Sequence, residues 1–122
     1  MVESAVIITD QSSIGKNSAV EAIRIGSGFV ALGEIIDCKV VFMGDAIDLL
    51  NKNADPTVVG LDSTFETMEI ADLSDLELYV IDTALDEAGL TTEDLIEYEN
   101  LKVISIDELA DLINKADVCF RF

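Results

Sequence analysis

Short apolar runs and helical patterns alternate along this chain. Ala5 to Thr9 is an unbroken apolar, β-branched run. Without polar alternation, such a run reads as a strand covered on both faces, as parallel strands are. Four further runs read as strands: Cys38 to Met43, Glu77 to Ile81, Lys102 to Ile104 and Asp117 to Phe122. Between them fall helical patterns with recognisable stops and starts. Ser18 to Leu32 reads as a helix capped by Asn17 or Ser18. Gly44-Asp45 opens a short helix through Leu50, with Asp45 as its N-cap. Asn51 to Asp55 is a polar exit, and Pro56 bars helix there. Ser63 to Leu73 reads as a helix with Phe65, Met68, Ile70 and Ala71 inward and Glu66, Glu69 and Asp72 outward. Thr83 to Ala88 is a short helix stopped by Gly89, and Thr91 to Asp94 carries a capping box that starts another turn. A second box, Ser105-Ile-Asp-Glu108, starts a helix with Ile106, Leu109, Ala110 and Ile113 on one face. No linker or repeat interrupts the alternation. It predicts one α/β domain over residues 1–122, doubly wound around a mostly parallel five-stranded sheet.

The first helix stands out because most of its circumference is apolar or small. Glu21 and Arg24 form an i,i+3 pair on a narrow polar stripe, against Val20, Ile23, Ile25, Phe29, Val30 and Leu32. A helix of that kind buries more than one face. One face goes to the sheet, and the second predicts a subunit contact. Gly26 and Gly28 each weaken the helix by about 1 kcal/mol and would admit a close neighbour. They form no dinucleotide fingerprint, because they lie inside the helix and not between a strand and a helix. Gly15-Lys16 forms no phosphate loop either: Asp10 stands where the first glycine belongs and Asn17 where the hydroxyl residue belongs.

In a doubly wound sheet, ligands sit at the carboxyl ends of strands. The best address for chemistry is therefore just after Val80, where Ile81, Asp82 and Thr83 stand. Asp10, Asp45 and Asp82 each fall at such an end. Together with Thr83 they would rim a pocket, and three converging carboxylates would hold a magnesium ion. The same aspartates serve equally as helix caps, the usual use of Asp at that position. The two cysteines, Cys38 and Cys119, stand at no metal or redox spacing. Strand geometry turns Cys38 and Lys39 to opposite faces, so the lysine does not activate the thiol.

Composition removes several function classes. The 122 residues contain 25 acids, 7 bases and no histidine, for a net charge of −18. Without histidine, Ser-His-Asp and Cys-His catalysis and the usual zinc sites are excluded. The negative field repels nucleic acid and anionic lipid. It also keeps soluble a chain that is 50% hydrophobic, and it attracts basic partners. The first residues carry no basic segment and no apolar run approaches the roughly 20 residues of a membrane span, so a cytoplasmic location is expected. No cofactor is expected.

Several pieces together resemble the DsrE/DsrF-like family of sulfur-relay proteins, most closely its DsrF/TusC branch. They are Ser18-Ala-Val-Glu-Ala-Ile-Arg with Gly33 after it, Val40-Val-Phe-Met-Gly-Asp45 leading to Leu49-Leu50, and Tyr79-Val80 with Ala84-Leu85 and Gly89-Leu90. The closing Asp117-Val118-x-x-Arg121-Phe122 is the most specific of them. The resemblance implies a three-layer α/β/α fold. It implies that DsrE/TusD-like subunits carry a sulfur-accepting cysteine at the start of the helix after the third strand. Here that position holds Ile81. The resemblance therefore implies a non-catalytic subunit that assembles with DsrE/TusD-like and DsrH/TusB-like partners, in tRNA thiolation or sulfur oxidation. Three other readings stay open: a direct sulfur carrier using Cys38 or Cys119, a small-molecule or metal-binding module, and a homo-oligomer working without relatives.

Overall fold

The computed structural model describes residues 3–10, 18–31, 37–51, 64–96 and 98–121, with the side chains of 18, 48, 49 and 64–67 excepted. In chain order the elements are β1 (Ser4–Thr9), α1 (Ser18–Ala31), β2 (Asp37–Phe42), a 3-10 helix (Gly44–Leu50), α2 (Thr64–Leu73), β3 (Glu77–Ile81), α3 (Asp82–Ala88), a 3-10 turn (Thr92–Asp94), β4 (Leu101–Ile104), α4 (Ile106–Lys115) and β5 (Val118–Arg121). The five strands form one sheet in the order β4-β3-β2-β1-β5. Every pairing is parallel. Among the described residues no helix is long and apolar enough to cross a membrane.

The unbroken apolar runs are explained by where they lie. Val40, Val41 and Phe42 of β2, and Leu78, Tyr79, Val80 and Ile81 of β3, are buried in succession. Since successive side chains point to opposite faces, both faces of the sheet are covered at its centre. The edge strands differ: Lys102 and Val103 of β4, and Cys119, Phe120 and Arg121 of β5, are exposed. α1 and α2 pack together, and α1 lies on β1 and β2. A Cβ added at Gly26 would stand 3.0 Å from Val40 Cγ2 and 3.2 Å from Leu76 Cδ1, so this glycine sets how closely α1 approaches the sheet. Gly28 faces open space. α2 covers part of the second apolar face of α1, and the Phe29 ring of that helix lies 6.1 Å from the ring of Phe120, while Ile25, Phe29 and Val30 stay partly exposed.

The connection after β4 reverses direction and returns past the whole sheet to β5. With the right-handed crossover that parallel connections take, α4 crosses the face opposite α1. The Ser105 capping box forms as expected, with Glu108 N–H donating to Ser105 Oγ at 3.2 Å. The apolar stripe of α4 is rotated from the expected one. Leu109 is buried and Leu112 and Ile113 pack on the core, while Ile106 is 48% exposed and Ala110 is exposed. Ile70 of α2, expected inward, is 42% exposed, whereas Ala71 is buried and Met68 packs on the core. The expected placements of Phe65 and Glu66 fall outside the described side chains. So do the Gly15-Lys16 loop, Asn17, Gly33, Pro56 and Phe122.

β5 is fastened to β1 at both ends. Asp117, just before β5, accepts from the N–H groups of Glu3 at 2.7 Å and Ser4 at 3.2 Å. Its own N–H donates to Ser4 Oγ at 3.0 Å. At the other end Arg121 pairs with Asp10. The two N–H donors hold the Asp117 carboxyl below its ordinary value of 3.8. A lowered folded value means that its contribution is complete above about 3.8 and is lost as pH falls through the lowered value.

Two predictions follow from this packing. Gly26→Ala is expected to destabilise by about 1–3 kcal/mol through overpacking, and Gly28→Ala to stabilise by about 0.5–1 kcal/mol, read from urea midpoints. Asp117→Ala is expected to lower the urea midpoint at neutral pH, with the gap from wild type closing in the acid range; a gap that persists there would place the effect elsewhere than in the carboxylate.

Candidate functional site

The carboxyl rim of the sheet is built by the segments that leave each strand. Met43 N–H donates to the Thr9 carbonyl at 3.1 Å, and Asp45 N–H to the Asp10 carbonyl at 3.2 Å. This draws the exit of β2 onto the exit of β1. Gly44 makes it possible: its φ is +54°, and an added Cβ would meet the Asp10 carbonyl at 3.0 Å.

The rim aspartates turn to separate tasks. The Asp10 side chain pairs with Arg121. Asp45 is the second residue of its 3-10 helix, not the N-cap expected. Asp82 is the first residue of α3, with Ile81 in the N-cap position and no side-chain cap. Its Oδ1 accepts from Thr83 N–H at 2.6 Å. Among the described residues no three carboxylates or thiols converge to hold a metal ion. Asp45 does line a cavity of about 420 Å3 between the 3-10 helix and α3, with Ile47, Ala84 and Glu87, whereas Asp10, Asp82 and Thr83 do not. The two acidic residues of the described lining, Asp45 and Glu87, disfavour anions there.

The junction of β3 with α3, Ile81 to Thr83, carries no thiol. Ile81 is 1% exposed and packs in the core. Asp82 and Thr83 are exposed on the first turn of α3. The sheet order also moves the topological switch point. Strand order reverses between β1 and β5, so the crevice that such folds use opens where Asp10 and Arg121 meet, not after β3. Sequence reading picked out both residues, but nothing along the chain marks them as a pair 111 positions apart.

The two thiols lie elsewhere. Cys38 sits in the amino half of β2, 2% exposed, in register with Ala5. It lines a cavity of about 350 Å3 with Asp37, Asp75, Glu77 and Glu99. Burial, then the negative charge of Asp37, pushes its pKa up to about 11, and Lys39 offsets this only in part. Lys39 is committed to carboxylates, at 2.6 Å from Asp37 and 3.5 Å from Glu77, its partner across the β2–β3 ladder. Cys119 is exposed on the β5 edge, and burial raises its pKa too. Neither thiol has the exposed, electropositive setting that makes a nucleophile.

The sequence matches the model of the DsrE/DsrF-like family over residues 4–122. Among solved structures, the ychN protein from E. coli superposes with a TM-score of 0.82 at 20% identity, over 98% of this chain and 99% of that one. MTH1491 from Methanobacterium thermoautotrophicum, a protein of unknown function, superposes with a TM-score of 0.71 at 12% identity, over 100% of both chains. At these identities the likeness is one of fold. No curated protein matches the chain.

The thiol environments give an ordered expectation. Cys119 is expected to react with iodoacetamide in the native protein at neutral pH well before Cys38. The Cys38 rate is expected to rise only as pH approaches about 11, provided the fold persists. Mass spectrometry of partly alkylated protein reads the order, and early labelling of Cys38 would contradict it.

Proposed function

The chain belongs to the DsrE/DsrF-like family, and from that premise we propose that it is a non-catalytic, DsrF/TusC-like subunit of a sulfur relay, working by assembly. The observation that carries the reading is Ile81. In a relay, a thiolate attacks the terminal sulfur of a persulfide; the new S–S bond forms as the old one breaks, and the donor leaves as a thiolate. That step needs a reachable thiolate. The last residue of β3, which is also the N-cap of α3, is a buried isoleucine, and the two thiols present are raised in pKa and stand on other strands. A chain of this kind contributes surface and geometry while DsrE/TusD-like and DsrH/TusB-like partners carry the sulfur. The strongly acidic surface favours partners with basic contact faces. On this reading the pathway is one of persulfide transfer, in tRNA thiolation or sulfur oxidation.

The direct-carrier reading is separated by one experiment. A Cys38→Ala, Cys119→Ser variant is expanded in its source cell and purified natively, and the co-purifying chains are identified by mass spectrometry. The expected result is a cysteine-bearing relative of the same fold, recovered at the wild-type ratio, with persulfide on the relative after incubation with a sulfur donor. Persulfide on Cys38 or Cys119 of the wild-type chain, lost in the variant, would make this chain a carrier. Recovery of this chain alone would make it a homo-oligomer outside a relay.

A further inference from the structure

A groove of about 630 Å3 runs beside β4, floored by Leu101 and Val103 and walled by Leu95, Ile96 and Tyr98. Its walls are tied to the fold. Ile96 N–H donates to the Leu50 carbonyl at 2.8 Å, and the Tyr98 hydroxyl donates to the Leu76 carbonyl at 2.6 Å. Val103 is 39% exposed, unusual for a valine on a strand. Glu93 is the one charged residue of the described lining.

The same two floor residues turn main-chain groups outward, of which the Leu101 N–H already donates to the Tyr98 carbonyl at 3.2 Å. Leu78 N–H donates to the Asn100 carbonyl at 2.9 Å, and the register sets Leu78 against Leu101 and Val80 against Val103. Along a parallel ladder the main-chain groups of successive residues point to alternate sides. Asn100, Lys102 and Ile104 therefore face β3, while the Leu101 carbonyl and both groups of Val103 face outward. β4 ends the sheet, so no strand among the described residues takes that side. Natural edges are usually blunted by charge or proline. Here the one charge on β4 is Lys102, which pairs with Tyr79 and so lies on the face opposite Leu101 and Val103. Among the described residues the groove side of the edge is apolar but for Thr92 and Glu93, and no element covers it.

We propose that this edge and groove form a docking site for an extended segment of a partner protein, which adds outside β4 as a sixth strand. Its main chain bonds the outward groups of Leu101 and Val103. Alternate apolar side chains enter the groove, and a basic residue lies over Glu93. This is strand addition, in which main-chain bonds supply affinity and alternate side chains supply selectivity. The basic residue follows from Glu93 and from the net charge of −18, which opposes the approach of an acidic segment. The proposal needs no sulfur chemistry, so it stands or falls apart from the relay reading.

The test uses the full chain, 15N-labelled, and the peptide acetyl-Lys-Val-Thr-Val-Thr-Val-amide. Expected are shift changes confined to Leu95, Ile96, Leu101 and Val103, slowed exchange of the Val103 amide, and binding at least about tenfold weaker with Glu in place of Lys. Val103→Pro removes an N–H that β3 does not use, and is expected to weaken binding about tenfold or more. Should that variant fail to fold, Val103→Lys keeps the N–H, charges the groove and is expected to show the same loss. No binding at about 1 mM peptide, changes away from β4, or undiminished binding by the variants would overturn the proposal. A dimer of the chain alone that Val103→Pro abolishes would overturn it as well, by making a second copy the occupant.

Discussion

The pairing of β5 with β1 is the constraint on which the rest of this fold depends. Four strands grow outward in chain order from β1 to β4, and a sheet of that kind would leave β1 as an edge. β5 returns to cover it, Ala5 to Ile8 against Val118 to Arg121. Hydrophobic burial alone does not fix that join, because most of β5 is exposed. Polar bonds do: Asp117 grips the entrance of β1 and Arg121 grips its exit at Asp10. The closing Asp-Val-x-x-Arg motif is thus accounted for as structure. Its two charged residues are the two ends of a clamp, with Val118, Cys119 and Phe120 of β5 between them.

That clamp also shapes what the carboxyl rim can do. With its carboxylate on Arg121, Asp10 does not share a centre with Asp45, and a three-carboxylate metal site cannot form from them in this arrangement. The amino ends of β2 and β3 show the matching logic for the thiol. Carboxylates surround Cys38, and the lysine beside it is held by two of them. The local field and burial both favour the neutral thiol. Among the described residues the rim aspartates hold no shared centre and both thiols favour the neutral form, and the proposed relay role starts from those two observations.

Much of the fold was legible along the chain because its causes are local. The β-branched runs, the Ser105 box and the stop at Gly89 lie within a few residues of what they determine. Strand order was not legible, since it depends on which strands meet after the crossover. The roles of Asp10 and Arg121 were hidden for the same reason. Ile106 and Ala110 fit the spacing of an apolar face, but the sheet beneath α4 meets Leu109, Leu112 and Ile113 instead. The groove beside β4 has no local sign, because only Thr91 to Asp94 carries a pattern, that of a capped turn. Its apolar residues, Leu95, Ile96 and Tyr98, gain meaning only when Leu101 and Val103 are brought alongside.

The clamp has a consequence for how the molecule comes into being. Its bonds join residues 113 and 114 positions apart, so almost the whole domain lies between the partners. On a ribosome, β1 is made first and its β5 partner last. Until Arg121 emerges, the apolar stretch Ala5 to Ile8 has one side of its backbone unpaired, an edge of the kind that recruits other chains. Closure is then a long-range event, slow by the logic of loop entropy. The nascent chain passes its most vulnerable interval with its first strand waiting for its last.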